Sequence, residues 1–232
     1  MRTLTPVLFG TFLAVACGKS STAPTVTGYE CLGQAYPTSA PASITVSGAV
    51  ADFINGPVAG VTVYAFKTGT AGPIDSATTD AGGAFSMTVA TGGTPLDGYL
   101  KATKTGYIDT YAYPSAPLPA SATISVPVVT SAEFSILATQ AGASPVAGKG
   151  SLGLRPVNCA GAAVTGATVT TSSGTSPFAD GQGDFFVFNA APGNVDVGAT
   201  FQSRTFHGHT IVAVADAVTI TIIAPGPLSP PE

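Results

Sequence analysis

Charge is what this sequence has least of. Lys, Arg, Asp and Glu together make up 9% of 232 residues, and 8 basic against 12 acidic side chains leave a formal charge of −4. No basic cluster occurs anywhere, so nothing is offered to a phosphate backbone and nucleic acid is excluded as a partner. Cysteine is scarce, with 3 residues, and histidine scarcer, with 2. A Gly-x-Ser-x-Gly nucleophile elbow and a Gly-x-x-x-x-Gly-Lys-Ser/Thr phosphate loop are both missing, so the hydrolase and nucleotide-binding classes lose their usual signatures. What fills the chain instead is 28 Gly and 19 Pro among many Thr, Ala and Val. That mixture suits short strands joined by tight turns and suits a helical domain poorly.

One pattern occurs twice. Gly56-Pro-Val-Ala-Gly-Val-Thr-Val-Tyr-Ala-Phe66, followed by Thr79-Asp-Ala-Gly-Gly-Ala-Phe-Ser-Met-Thr-Val89, returns as Ala163-Val-Thr-Gly-Ala-Thr-Val169 and Ala179-Asp-Gly-Gln-Gly-Asp-Phe-Phe-Val187. Val58, Gly60, Val63, Asp80, Gly83 and Phe85 thereby match Val164, Gly166, Val169, Asp180, Gly183 and Phe185. Self-similarity of this kind sets the architecture at two like modules, each large enough for one sandwich core.

Residues 1–17 read as a targeting segment. Arg2 gives a positive start, Val7 to Ala16 is an apolar run too short to span a bilayer, and Leu13-Ala-Val-Ala-Cys17 sets small residues before a cysteine. This resembles a bacterial lipoprotein signal, which implies acylation of Cys17 and anchoring in the cell envelope, with the outer membrane preferred because Gly18 follows the cysteine. Plain secretion is the alternative, since Ala14 stands where such signals usually carry Leu. Cys31 and Cys159 remain. In an oxidising compartment an even pair reads as a disulfide, which would close a long loop and add roughly 4 kcal/mol in the chain-entropy model. Two unpaired buried thiols are the other reading.

Residues 18–42, rich in Ser, Thr, Pro and Ala, read as a flexible tether in which Tyr29 and Cys31 are the fixed points. From Ile44 onward apolar residues alternate, and turn signals such as Asn55-Gly56-Pro57 and Asp80-Ala-Gly-Gly punctuate the runs. Strands are expected from Ile44 to Asp52, Val61 to Phe66, Ala84 to Val89, Tyr99 to Thr103, Tyr107 to Tyr113 and Ala122 to Val128. The second module repeats the plan through Leu152 to Val157, Ala167 to Thr171, Phe185 to Phe188, Val195 to Thr200, His209 to Val214 and Val218 to Ile223. Between them, Thr130 and Glu133 form a capping box, and Phe134, Leu137, Ala138 and Ala141 share a face. Gly142 ends the run, which predicts a short helix over 131–141. Pro225, Pro227, Pro230 and Pro231 predict a loose tail.

These residues carry a family resemblance. The Pro-Val-Ala-Gly-Val-Thr-Val and Thr-Thr-Asp-Ala-Gly-Gly-Ala-Phe segments resemble the carboxypeptidase regulatory-like, or transthyretin-like, β-sandwich domain. Asn158-Cys-Ala-Gly-Ala-Ala-Val-Thr-Gly-Ala-Thr-Val, Asn189-Ala-Ala-Pro-Gly-Asn-Val and Ala217-Val-Thr-Ile resemble a second, more divergent copy. The resemblance implies an all-β chain of two tandem Greek-key-type sandwiches joined by one short helix. Its parts are a first sandwich over 43–129, a helix and linker over 130–149, a second sandwich over 150–225 and a tail over 226–232. It also implies a largely non-catalytic module, such as those in envelope lipoproteins, with no cofactor and with an envelope protein or glycan as partner.

Three constellations are candidates for chemistry. Tyr107, Asp109, Tyr111 and Tyr113 would share one face of a strand, an aromatic platform with a carboxylate that stacks on sugar rings. The competing reading covers a sandwich edge with the same rings. His207 and His209, two apart on a strand, could share a metal, and Arg-x-x-His-x-His resembles the iron-holding segment of intradiol dioxygenases. Those enzymes need two tyrosinate ligands, which the second module does not supply, so the pair reads as ordinary strand residues. Asp80 and Asp180 each open a Gly-rich turn, and one carboxylate apiece gives too few oxygens for calcium.

Overall fold

The computed structural model describes residues 27–228, so the expected signal segment and Cys17 lie outside the described residues. The first module contains β1 (Ser43–Asp52), β2 (Gly56–Pro57), β3 (Thr62–Lys67), β4 (Pro73–Thr78), β5 (Ala84–Ala90), β6 (Gly98–Thr103), β7 (Thr110–Tyr113) and β8 (Ala122–Val128). Helix α1 (Ser131–Gln140) follows. The second module contains β9 (Gly150–Pro156), β10 (Thr168–Thr171), β11 (Phe178–Ala179), β12 (Phe185–Ala190), β13 (Gly193–Phe201), β14 (Arg204–Thr205), β15 (His209–Ala213) and β16 (Val218–Ile223). The protein is all-β, with two sandwiches and one connecting helix.

Alternation builds the cores. In β5, Phe85, Met87 and Val89 are buried while Ala84, Ser86, Thr88 and Ala90 face out, so a period of two turns one face inward. β1 does the same with Ile44 and Val46, and together with Val63, Ala65, Leu100 and Val126 these residues form the first core. Leu152, Leu154, Val169, Phe185, Val187, Val195 and Ile211 form the second. β4 was not anticipated from the sequence: Pro-Ile-Asp-Ser-Ala-Thr has no apolar alternation and is an edge strand without a fully buried residue.

The modules are not separate bodies. One sheet of eight strands runs in the order β11-β12-β9-β16-β7-β6-β3-β4, crossing from the second module into the first at the parallel pairing of β16 with β7. β16 also pairs in parallel with β9, which puts it at the centre. Side chains opposite each other in a ladder share a face. Thr219 and Thr221, opposite Leu152 and Leu154, therefore face the second core, whereas Ile220, opposite Ala112, packs against the first. The sheet of β1, β2, β5 and β8 covers one face of the long sheet, and that of β10, β13, β14 and β15 covers the opposite face.

Helix α1 has the expected cap. Thr130 accepts from the Glu133 amide, Glu133 returns a bond to the Thr130 amide, and Gly142 follows with φ 63°. Ten residues are too few to hold a helix by propensity alone. Phe134 packs on Phe188 with ring centroids 5.6 Å apart, and Ala138 is buried.

Three expectations need correction. The strand expected from Tyr107 begins at Thr110, because Tyr107 and Ile108 pair with the segment before α1 instead: Ile108 donates to Val129 O, and Tyr107 bridges Thr130. The tether is docked over much of its described length. Tyr29 packs on Phe201 and Phe206, Tyr36 on His207, and Ala40 donates to Gly93 O. The tail is packed where it starts, since Pro225 and Gly226 are buried. A Cβ on Gly226 would lie 2.0 Å from Cys31 O, so the leader and the tail touch backbone to backbone. Cys31 and Cys159 are bonded, with Cα atoms 5.7 Å apart across 128 residues.

Candidate functional site

The repeated turn does the same work in each module. Asp80 Oδ1 accepts from the amides of Gly82 and Ala84, and Asp180 Oδ1 accepts from those of Gln182 and Asp184. Gly83 and Gly183 both have positive φ, at 75° and 104°, a region that costs other residues free energy. The carboxylate oxygen is thus committed to backbone amides in both copies, which is the turn role expected of these aspartates.

Tyr111 and Tyr113 do share a face of β7, but the face is wider than the sequence indicated and is composed differently. Tyr99 of β6 stacks on Tyr113 at 4.9 Å and 23°, and on Phe66 of β3 at 5.0 Å and 10°; Tyr64 adjoins Phe66 at 6.4 Å. Tyr111 lies 6.0 Å from Tyr99, and the Lys101 ammonium sits 5.5 Å over its ring. Tyr107 is elsewhere and packs against the first core. Asp109 pairs with Lys101 at 2.7 Å. Rings stacked on one another across strands use up their faces and present edges and hydroxyls to solvent, whereas a sugar needs an open face. Tyr113 is the most enclosed. Burial raises its phenol, and its hydroxyl meets the Val212 backbone.

The histidines turn to different partners. His207, exposed, packs on Tyr36 with ring centroids 4.8 Å apart. His209 Nε2 is 2.8 Å from Thr221 Oγ1, which donates to Tyr113 O. His209 Nδ1 is buried without a partner. Burial, then the nearby His207, pushes His209 down to about 4, so at neutral pH it is an uncharged imidazole. Among the described residues no group of three or more His, Cys, Asp or Glu side chains converges as metal ligands.

Some members of these groups were hidden in the sequence. Tyr64 and Phe66 lie two apart in the strand expected from Val61 to Phe66, so their shared face was legible. Tyr99 and Tyr36 were not, because only the sheet order and the docked leader bring them to Tyr113 and His207. Among the described residues no helix is long and apolar enough to cross a membrane.

No protein-family model matches the chain and no curated protein matches it. Among solved structures the chain is similar to the Bacillus anthracis TIE protein, with 12% identity and a TM-score of 0.29 over 78% of this chain and 34% of that one. The chain therefore spans about one third of that protein. It is similar to the shaft pilin SpaA from Lactobacillus rhamnosus GG, with 12% identity and a TM-score of 0.28 over 81% of this chain and 100% of that one. It is also similar to the dioxygenase domain of a dioxygenase and carbohydrate-binding fusion from Streptomyces sp. SirexAA-E, with 18% identity and a TM-score of 0.30 over 44% and 86%. Likeness of this order goes no further than β-sandwich architecture and assigns no activity.

Proposed function

We propose that this protein is a non-enzymatic structural or interaction module of the cell envelope, held at the membrane by lipid on Cys17. The observation that carries the reading is mechanical continuity. One sheet passes through both sandwiches, and the Cys31–Cys159 bond ties the leader to the second module. Load applied at the N-terminal leader would reach both cores through backbone hydrogen bonds and one covalent link. The stacked ring faces weigh against a sugar platform on β7, and the carboxypeptidase regulatory-like resemblance points the same way as the mechanical reading.

Two experiments test it. Detergent-phase partitioning of the full chain should place the parent with the detergent and a Cys17→Ser variant in the aqueous phase; aqueous parent protein would overturn the anchor. Envelope polysaccharide and peptidoglycan should retain the parent no better than a Tyr99→Ala, Tyr111→Ala variant. Selective retention of the parent would make the aromatic face a glycan site and replace the structural reading.

A further inference from the structure

A cavity of about 270 Å³ lies where the linker after α1 returns over the long sheet, room for about nine waters at roughly 30 Å³ each. Phe134 of α1, Ile108, and Val218 of β16 give it apolar walls, and Ser151 of β9, 8% exposed, lies at its base. Val146 and its linker neighbours border it on the solvent side. Two side chains hold that linker down. Asn189 Oδ1 accepts from the Val146 amide and Asn189 Nδ2 donates to Ser144 O, while Asp216 Oδ1 accepts from the Gly148 amide. Both residues line the cavity, and both have positive φ, at 59° and 55°. Residues other than glycine seldom take that conformation, and where they do the strain gathers at ligand clamps.

Asn189 also marks a departure from the repeat. β5 pairs with β1 without interruption from Ala84 to Ala90, whereas β12 pairs with β9 through Val187 and resumes at Ala190. Phe188 and Asn189 therefore stand against Ser151 alone, and a bulge of this kind re-aims side chains beside a binding site. Here Phe188 turns to Phe134 and Asn189 to the linker. The rim carries one unpaired charge of each sign. Asp216 N donates to Lys149 O, so the two residues are backbone neighbours. Their side chains do not pair: among the described residues the ion pairs are Lys101–Asp109 and Arg155–Asp184. Lys149 and Asp216 are exposed and both border the cavity. A guest with a single charge would face one of them with like sign, whereas a guest with both charges satisfies the two together.

We propose that this cavity binds a small zwitterion with an apolar side group, of the class of the apolar α-amino acids. The guest's carboxylate meets the Lys149 ammonium, and its own ammonium meets Asp216 Oδ2, while Oδ1 keeps the Gly148 amide. Its side group lies against Phe134, Ile108 and Val218. Solvent screens the exposed rim charges, so the affinity falls in the millimolar range. Nothing in the site depends on lipid at Cys17, and loss of the anchor leaves it unchanged.

Leucine is the probe, titrated into the full chain at millimolar concentration and followed by saturation-transfer NMR. The parent should hold leucine about tenfold more tightly than glycine, which lacks the apolar group, N-acetylleucine, which lacks the ammonium, or leucinamide, which lacks the carboxylate. Lys149→Met and Asp216→Asn change exposed side chains and should fold with a near-parent Tm, since Asn accepts both the left-handed backbone and the Gly148 bond. Each should weaken leucine about tenfold. Asn189→Gly keeps the backbone conformation, frees the linker and should weaken leucine by a similar factor. A parent that shows no transfer to leucine overturns the site. Unchanged leucine affinity in Lys149→Met or Asp216→Asn does the same, and N-acetylleucine or leucinamide held as tightly as leucine overturns the zwitterion.

Discussion

β8 and β16 hold the same place in their modules and have opposite fates. Each lies parallel to the first strand of its module, β1 or β9, and that strand pairs antiparallel with β5 or β12 on the other side. Val126 sits opposite Val50 and Ile223 opposite Pro156, so Thr123 and Ser125 of β8 correspond to Ile220 and Ile222 of β16. In β8 these outward positions are exposed, next to an exposed Pro127. In β16 they are partly buried, and Ile220 packs against the first core. A strand whose outward face is apolar and whose inward threonines are buried becomes the centre of a sheet; one with hydroxyls and a proline exposed on its outward face stays an edge. Two side chains thus separate a strand that joins modules from one that ends a module.

The comparison can be broken most strongly at the matched aromatic residues. Phe85→Ala and Phe185→Ala should each cost about 3–5 kcal/mol, and calorimetry should show both variants shifting one shared transition. Two resolved transitions, with only one displaced by each variant, would show that the long sheet does not couple the modules. Removing the disulfide comes next. Cys31→Ser with Cys159→Ser should lower stability by about 4 kcal/mol through the 128-residue separation, read as a fall in the urea midpoint that reductant reproduces in the parent and not in the variant.

In the second module acid acts through His209. His209 is held down to about 4 in the folded state, against an unfolded value of about 6.5. Below that unfolded value the unfolded chain binds a proton that the native chain does not. Stability present above pH 6.5 is therefore lost as pH falls toward 4, by at most roughly 3 kcal/mol after allowing for partial exposure. His209→Gln should flatten the stability profile in that window, as urea midpoints at several pH values would show.

Smaller effects sharpen the comparison. A Cβ on Gly83 would lie 2.5 Å from Val50 O, whereas one on Gly183 would lie 3.1 Å from the Ala163 methyl. Gly83→Ala should therefore cost about 2–3 kcal/mol and Gly183→Ala about 1 kcal/mol, both by chemical denaturation. Ile220→Thr, which gives β16 the side chain of β8, should cost about 1–2 kcal/mol and leave the second core intact.

Local chemistry was readable from the sequence where a short segment satisfies itself. Asp80 and Asp180 bond amides two and four residues on, and Thr130 and Glu133 cap one helix, so the residues that make each feature are neighbours in the chain. The aromatic face was half readable, because Tyr111 and Tyr113 alternate on one strand while Tyr99 and Phe66 arrive from strands placed beside it by sheet order. The cavity could not be read, since Phe134, Asn189 and Asp216 meet only where the linker returns over the long sheet. β4 gave no signal because an edge strand buries too little for its pattern to alternate.

By itself the sequence determined two like β-sandwiches, their turns, the capped helix between them and the two cysteines available to pair. Period-two burial and turn residues act within a few positions, and the repeat states them twice. Tertiary structure alone decided that β16 joins β7, that the leader docks on the second module, and that Tyr107 leaves the aromatic face for the first core. Those outcomes depend on which apolar faces find each other across the folded chain, and spacing along one strand carries no record of that.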